Sequence, residues 1–171
     1  MYNPATSDQN AEYIELLNIG DSVVTLAEFD NEQLIDVPWR FADDSNGISF
    51  DFPLGTTIAP GEHLLLVKDR DVFESSYVGI PDDVQIFEWG PGKLDNAGEK
   101  IQLSKPGDEF EGKRYYIRVD RVNYSDGFHP LDEDPWPIWP DGYGFALGRN
   151  VPGDYGNDPE NWEAVNPSPG W

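Results

Sequence analysis

The chain has no cysteine, one methionine, two histidines and few cations. Each shortage closes a class of reading. Without thiols there is neither a disulfide framework nor a thiolate metal centre. No stretch approaches the ~18 consecutive apolar residues of a spanning helix, so no transmembrane segment is expected. No secretory leader pattern stands at the start. Only 11 Lys and Arg stand against 33 Asp and Glu, a formal charge of -22. A field of that sign repels phosphate backbones and argues against nucleic acid as a partner unless a strong local basic patch exists. The nearest approach to a basic patch is Lys113-Arg114 with Arg118 and Arg121, set among acidic neighbours. Such acidity speaks first to solubility in salt, and second to divalent cations or cationic partners.

What is plentiful points to β-structure. Aromatic residues make up 13% of the 171 residues, and 17 Gly and 15 Pro punctuate the chain. Short strands joined by turns are expected, in one domain spanning 1–171 with a core large enough to need no staples. Glu12–Asn18 reads as a strand with Ile14 and Leu16 facing the core, and Ser22–Leu26 as the next. Asp30–Asp36 reads as an inserted loop or short helix. Ile48, Phe50 and Phe52 alternate along a strand. His63–Val67 is continuously apolar, which predicts burial on both faces. Val72, Phe73 and Tyr77 recur at helical spacing within Asp69–Tyr77. Val84–Trp89 and Tyr115–Tyr124 read as strands, with turns at Asp95–Gly98 and at Pro106-Gly107-Asp108. Beyond Ser125 the chain is rich in Pro, Gly, Asp and Trp, and only Gly144–Leu147 looks strand-like; the tryptophans are expected to pin this segment, with Trp39 and Trp162 in the core.

Several pieces, taken in order, resemble one family: Met1-Tyr2-Asn3-Pro4, EYIELLN at 12–18, FPLGTTIAPGEHLLLVKD at 52–69 and GKLDNAGEKIQL at 92–103. They continue with VDRVNY at 119–124, WPIWPDGYGFALGR at 136–149, Asn161-Trp162 and PSPG at 167–170. Together they resemble lamin-tail domains of the bacterial, extracellular type. The resemblance implies an all-β, immunoglobulin-like sandwich with a long Pro/Gly/Trp-rich C-terminal segment packed on it. It also implies a non-catalytic module that docks to protein or an extracellular polymer, in a secreted or cell-surface setting as part of a larger chain. Two departures stand out: Phe29–Val37 is inserted before Trp39, and Asp132-Glu133-Asp134-Pro135 is unusually acidic.

No catalytic template is present: no Gly-x-Ser-x-Gly elbow, no P-loop, no His-Glu-x-x-His and no cysteine nucleophile. His63 sits inside an apolar strand and reads as a packed residue, and His129 as a loop residue. Carboxylate pairs carry no information among so many acids. No cofactor is required, and calcium is the one candidate. Asp132, Glu133, Asp134 and Asp141 flank Trp136–Pro140 and could supply its oxygen ligands, against the plainer reading of a solvated acidic loop. Asp69 with Asp71 is a second such pair. Trp136 and Trp139 could stack on sugar rings, against the reading that they pack on their neighbouring prolines. Two functional readings follow: a docking module, and a calcium-stabilised carbohydrate-binding module. A third, self-association, depends on whether the Phe29–Val37 insertion leaves a sheet edge uncovered.

Overall fold

The computed structural model describes residues 1–5, 9–44, 47–128 and 134–171. The strands are β1 (Tyr13–Leu17), β2 (Val24–Thr25), β3 (Ala27–Asp30), β4 (Ile35–Pro38), β5 (Arg40–Asp43), β6 (Ser49–Asp51), β7 (Thr57–Ile58) and β8 (His63–Val67). A helix, α1 (Arg70–Ser76), precedes β9 (Gln85–Glu88), β10 (Lys100–Phe110), β11 (Lys113–Asn123), β12 (Ala146–Arg149) and β13 (Trp162–Val165). The fold is all-β and sandwich-like, as its short strands and turn-rich sequence led one to expect.

The first sheet has the order β1-β8-β9 and the second the order β11-β10-β5-β6. β8 lies between antiparallel β1 and parallel β9. A parallel partner requires a crossover, and α1 supplies it. Asp69 caps the helix by accepting from Val72 N at 3.0 Å.

Period-2 geometry then sorts the β8 run onto two faces. Leu64 and Leu66 join Ile14, Leu16 and Phe87 against Phe41, Ile101, Leu103 and Val122 of the second sheet. Leu65 and Val67 face the other way, with Tyr13, Phe73 and Tyr77. Burial on both faces, expected from the unbroken apolar run, is what β8 shows.

Glu12, just before β1, is also buried. Burial pushes its carboxyl up to about 7, against the opposing pull of the Leu94 N–H and of Lys93 and Lys68. Its Oε2 accepts from Leu94 N at 2.8 Å.

Four expectations are corrected. Asp30–Asp36 is neither loop nor helix but the turn and arm of a β3–β4 hairpin. Asp30 Oδ1 closes the turn by accepting from Glu32 N and Gln33 N. Glu28, Asp30 and Asp36 are weak strand formers, which hid the pairing. Pro106-Gly107-Asp108 is not a turn, because β10 runs through it with a register shift between Pro106 and Glu109. A bulge accommodates a proline that cannot donate to the ladder. The chain reverses instead at Glu111-Gly112, with φ of 51° and 74°, as two-residue hairpin turns require. Of the expected Ser22–Leu26 strand only Val24–Thr25 pairs, with β7. Finally, Trp162–Val165 is a strand, paired antiparallel with β12. Gly148 makes that close approach possible, since a Cβ there would sit 2.7 Å from Val165 Cγ2.

Candidate functional site

Charge is distributed unevenly over the two sheets. The strands β5, β6, β10 and β11 hold seven of the eleven cations and five carboxylates, leaving four cations and 28 carboxylates elsewhere. Some of these cations are tied down. Arg40 grips Asp51 through two hydrogen bonds of 2.6 and 2.9 Å and lies over the Tyr116 ring. Lys100 pairs with Asp44 at 2.9 Å.

Arg114 clamps the two hairpins together. Its Nη2 reaches Asp30 at 2.5 Å and Glu109 at 3.3 Å, and its Nη1 donates to the Gly107 carbonyl at 2.9 Å. Gln33 adds a hydrogen bond to Glu109 at 2.8 Å. Hydrogen bonds from Gln33 N and from Arg114 hold the Asp30 carboxyl below its usual range. The inserted β3–β4 hairpin is therefore a brace for the β10–β11 hairpin. Lys105, Lys113, Arg118 and Arg121 have no ion-pair partner among the described residues.

β11 is the terminal strand of its sheet. Its C-terminal end is covered: Asn123 N donates to Asn157 Oδ1 at 2.6 Å, and Asp120 pairs with Arg149 at 2.6 Å. From Lys113 to Val119 no described residue pairs with the outer edge. Tyr115, Ile117 and Val119 are 51%, 53% and 46% exposed there, although strands place such side chains inward by preference. Phe29 and Ile35 of the bracing hairpin and Phe110 at the tip are exposed too. An unpaired strand edge beside apolar side chains can accept another extended chain.

Below this edge the sandwich gapes. A cleft of about 960 Å³ runs between the two sheets, bordered by β1 and β11 and roofed by β12 and Trp162. Its walls are core side chains left partly uncovered, among them Ile14, Leu16, Ile101, Leu103, Leu147 and Trp162. Trp162 is held by donating Nε1 to the Gly156 carbonyl at 2.8 Å, with the Arg149 guanidinium 5.0 Å over its ring.

The residues singled out for calcium and sugar fall apart in space and role. Asp132 and Glu133 lie outside the described residues, as does His129. Asp134 accepts from Trp136 N at 3.1 Å and from the Ser125 hydroxyl. Asp141 accepts from Asn3 Nδ2 at 2.5 Å, beside a parallel bridge between the two residues. Both carboxylates thus hold chain segments together. With Asp126 they also raise the buried Tyr2 hydroxyl, whose own burial is the larger cause. Asp69 is used as a helix cap. No group of three or more His, Asp or Glu able to hold a metal occurs among the described residues.

Trp136 is 7% exposed and packs 6.3 Å from Trp162, whereas Trp139 is 53% exposed. Trp139 meets Tyr143 edge-on, with the rings 76° apart. Of the two tryptophans only Trp139 therefore offers a face to solvent. His63 lines the cleft, its Nδ1 2.9 Å from Glu15 Oε1 but off the line of a hydrogen bond.

Comparison with family models, curated proteins and solved structures found no match to this chain. Among the described residues no helix is long and apolar enough to cross a membrane.

Proposed function

We propose that the chain is a non-catalytic docking module that takes an extended polypeptide segment onto the open edge of β11. The observation that carries this reading is the uncovered run Tyr115–Val119, with its exposed apolar side chains and the unpaired Lys113 and Arg118 beside them. Strand addition would supply main-chain hydrogen bonds for affinity, and the alternating side chains would select the sequence. Arg114, Asp30 and Gln33 support it by holding the hairpin rigid, which lowers the ordering cost of binding. The resemblance to lamin-tail domains, with their immunoglobulin-like sandwich and role in contacts between molecules, points the same way. It also suggests a bacterial secreted or cell-surface setting.

A library of seven-residue peptides selected on the immobilised chain tests this. Selected peptides should shift the amide resonances of Tyr115–Val119 and lose binding to Ile117→Lys, while that variant keeps the parent's unfolding midpoint. Peptides that map elsewhere, or bind Ile117→Lys unchanged, would sink the reading.

A further inference from the structure

The open run Lys113–Val119 holds three cations and no carboxylate, in a chain where carboxylates outnumber cations three to one. From Lys113 to Arg118 β11 keeps a regular step, because the extra residue of the register shift between Pro106 and Glu109 lies on β10. Lys113, Tyr115 and Ile117 therefore share one face, and Arg114, Tyr116 and Arg118 the other. Side-chain contacts agree with this sorting. The Lys113 ammonium lies 5.4 Å over the Tyr115 ring, and the Arg40 guanidinium 4.5 Å over that of Tyr116.

Most of the charge around this edge is engaged. Arg114 holds Asp30 and Glu109, Arg40 holds Asp51, and Arg149 holds Asp120. Asp108 and Glu111 stand exposed at the hairpin tip, near Lys113. Arg118 lies away from the tip, exposed and paired with no described carboxylate. Lys105, directly across from Ile117, is unpaired too. An incoming strand thus meets apolar side chains at Tyr115 and Ile117 and cations at Lys113, Lys105 and Arg118. Opposite charges in facing positions stabilise a strand pair, and like charges weaken it. A second copy of this edge would bring three more cations and no carboxylate, and full antiparallel overlap would set Arg114 opposite Arg118. Edge cations keep like strands apart in this way. A strand that carries carboxylates meets no such barrier.

We propose that the docked segment is an acidic one from another protein, with apolar side chains facing Tyr115 and Ile117 and carboxylates facing Lys113 and Arg118. The inference rests on docking at the edge of β11 and names the class of sequence that docks there. The rest of the surface sharpens the choice. With four cations and 28 carboxylates outside β5, β6, β10 and β11, it disfavours an acidic segment elsewhere. Complementarity of this kind sets position and specificity more than affinity. At about 0.1 M salt charges beyond ~10 Å are screened, so a segment at the edge feels chiefly the cations beside it.

Three end-blocked peptides test this on the whole chain: Glu-Val-Thr-Val-Thr-Glu, and the same sequence with Gln or with Lys in place of both Glu. Amide shifts locate each peptide, and calorimetry at about 0.1 M salt measures its affinity. The Glu peptide should shift Tyr115–Val119 and bind about threefold or more tighter than the Gln peptide, as two facing charge pairs predict, with the Lys peptide weakest. Arg118→Gln, a change at an exposed position, should shrink the preference for Glu over Gln to less than about twofold and leave the Gln peptide unaffected. Equal binding of the Gln or Lys peptide at β11, or a preference that survives Arg118→Gln, overturns the acidic selection and leaves docking at this edge standing. No binding of any of the three at about 1 mM, or shifts confined to other strands, counts against both. Broadening of Tyr115–Val119 that grows with chain concentration in the absence of peptide would assign the edge to a second copy and overturn the proposal.

Discussion

β8 and the open half of β11 are both rich in large apolar side chains, yet they have opposite surroundings. In β8 Leu64, Leu65, Leu66 and Val67 are all fully buried, with a strand on each side and packing on both faces. In β11 Tyr115, Ile117 and Val119 stand open at the end of the sheet. The same chemistry is structural in one place and available in the other. What separates them is neighbours: β8 recruits α1 through its parallel partner, whereas the β10–β11 hairpin extends past the sandwich and is braced by another hairpin.

The widest gap should appear in side-chain deletion. Leu65→Ala should cost about 2–5 kcal/mol, as buried leucines do, and Ile117→Ala no more than about 0.5–1 kcal/mol. Urea unfolding measures both, and equal losses would erase the distinction between the two strands.

Trp162→Ala should cost about 3 kcal/mol, near the lower end for large aromatics because the ring is only partly buried. A loss under about 1 kcal/mol would show that the β12–β13 hairpin contributes little to the roof of the cleft.

Glu12 tests the buried side by pH. Its folded pKa, raised from 4.5 to about 7, means that the folded state holds the proton more tightly than the unfolded one. Its contribution is therefore full below pH 4.5 and is lost as pH rises through about 7. Glu12→Gln, which can still accept from Leu94 N, should stabilise the chain by about 1–3 kcal/mol at pH 8 and have no effect at pH 4. A gain independent of pH would rule out this linkage.

The smallest effect is expected at the brace. Asp30→Asn should leave the unfolding midpoint unchanged but speed amide exchange in β3, β4 and the tip of β10–β11. Unchanged exchange would mean that Arg114 does not hold the arm.

The outcome of reading the sequence follows from how local each signal is. Period-2 alternation at Ile48, Phe50 and Phe52, the apolar run of β8 and the helical spacing in Asp69–Tyr77 are local patterns, and all three elements formed. The β3–β4 hairpin was missed because its acidic residues hide the alternation. β13 was missed because Trp162–Val165 is too short and mixed to stand out from its Pro/Gly surroundings. The Glu111-Gly112 turn was overlooked because Pro106-Gly107-Asp108 carries a stronger turn signature, which a bulge then absorbed. Arg118 and Arg121 were visible as part of a weak basic patch, but nothing local distinguishes an exposed Arg118 from a half-buried Arg121.

Composition and short-range pattern by themselves determined an acidic, cysteine-free, all-β chain with one strand buried on both faces, because those properties depend only on residue type and periodicity. Tertiary structure alone decided which strand lies at the end of a sheet, where the two sheets part, and which cation finds no carboxylate. Those depend on pairing between residues far apart in the chain, and no stretch of sequence encodes who its neighbours will be.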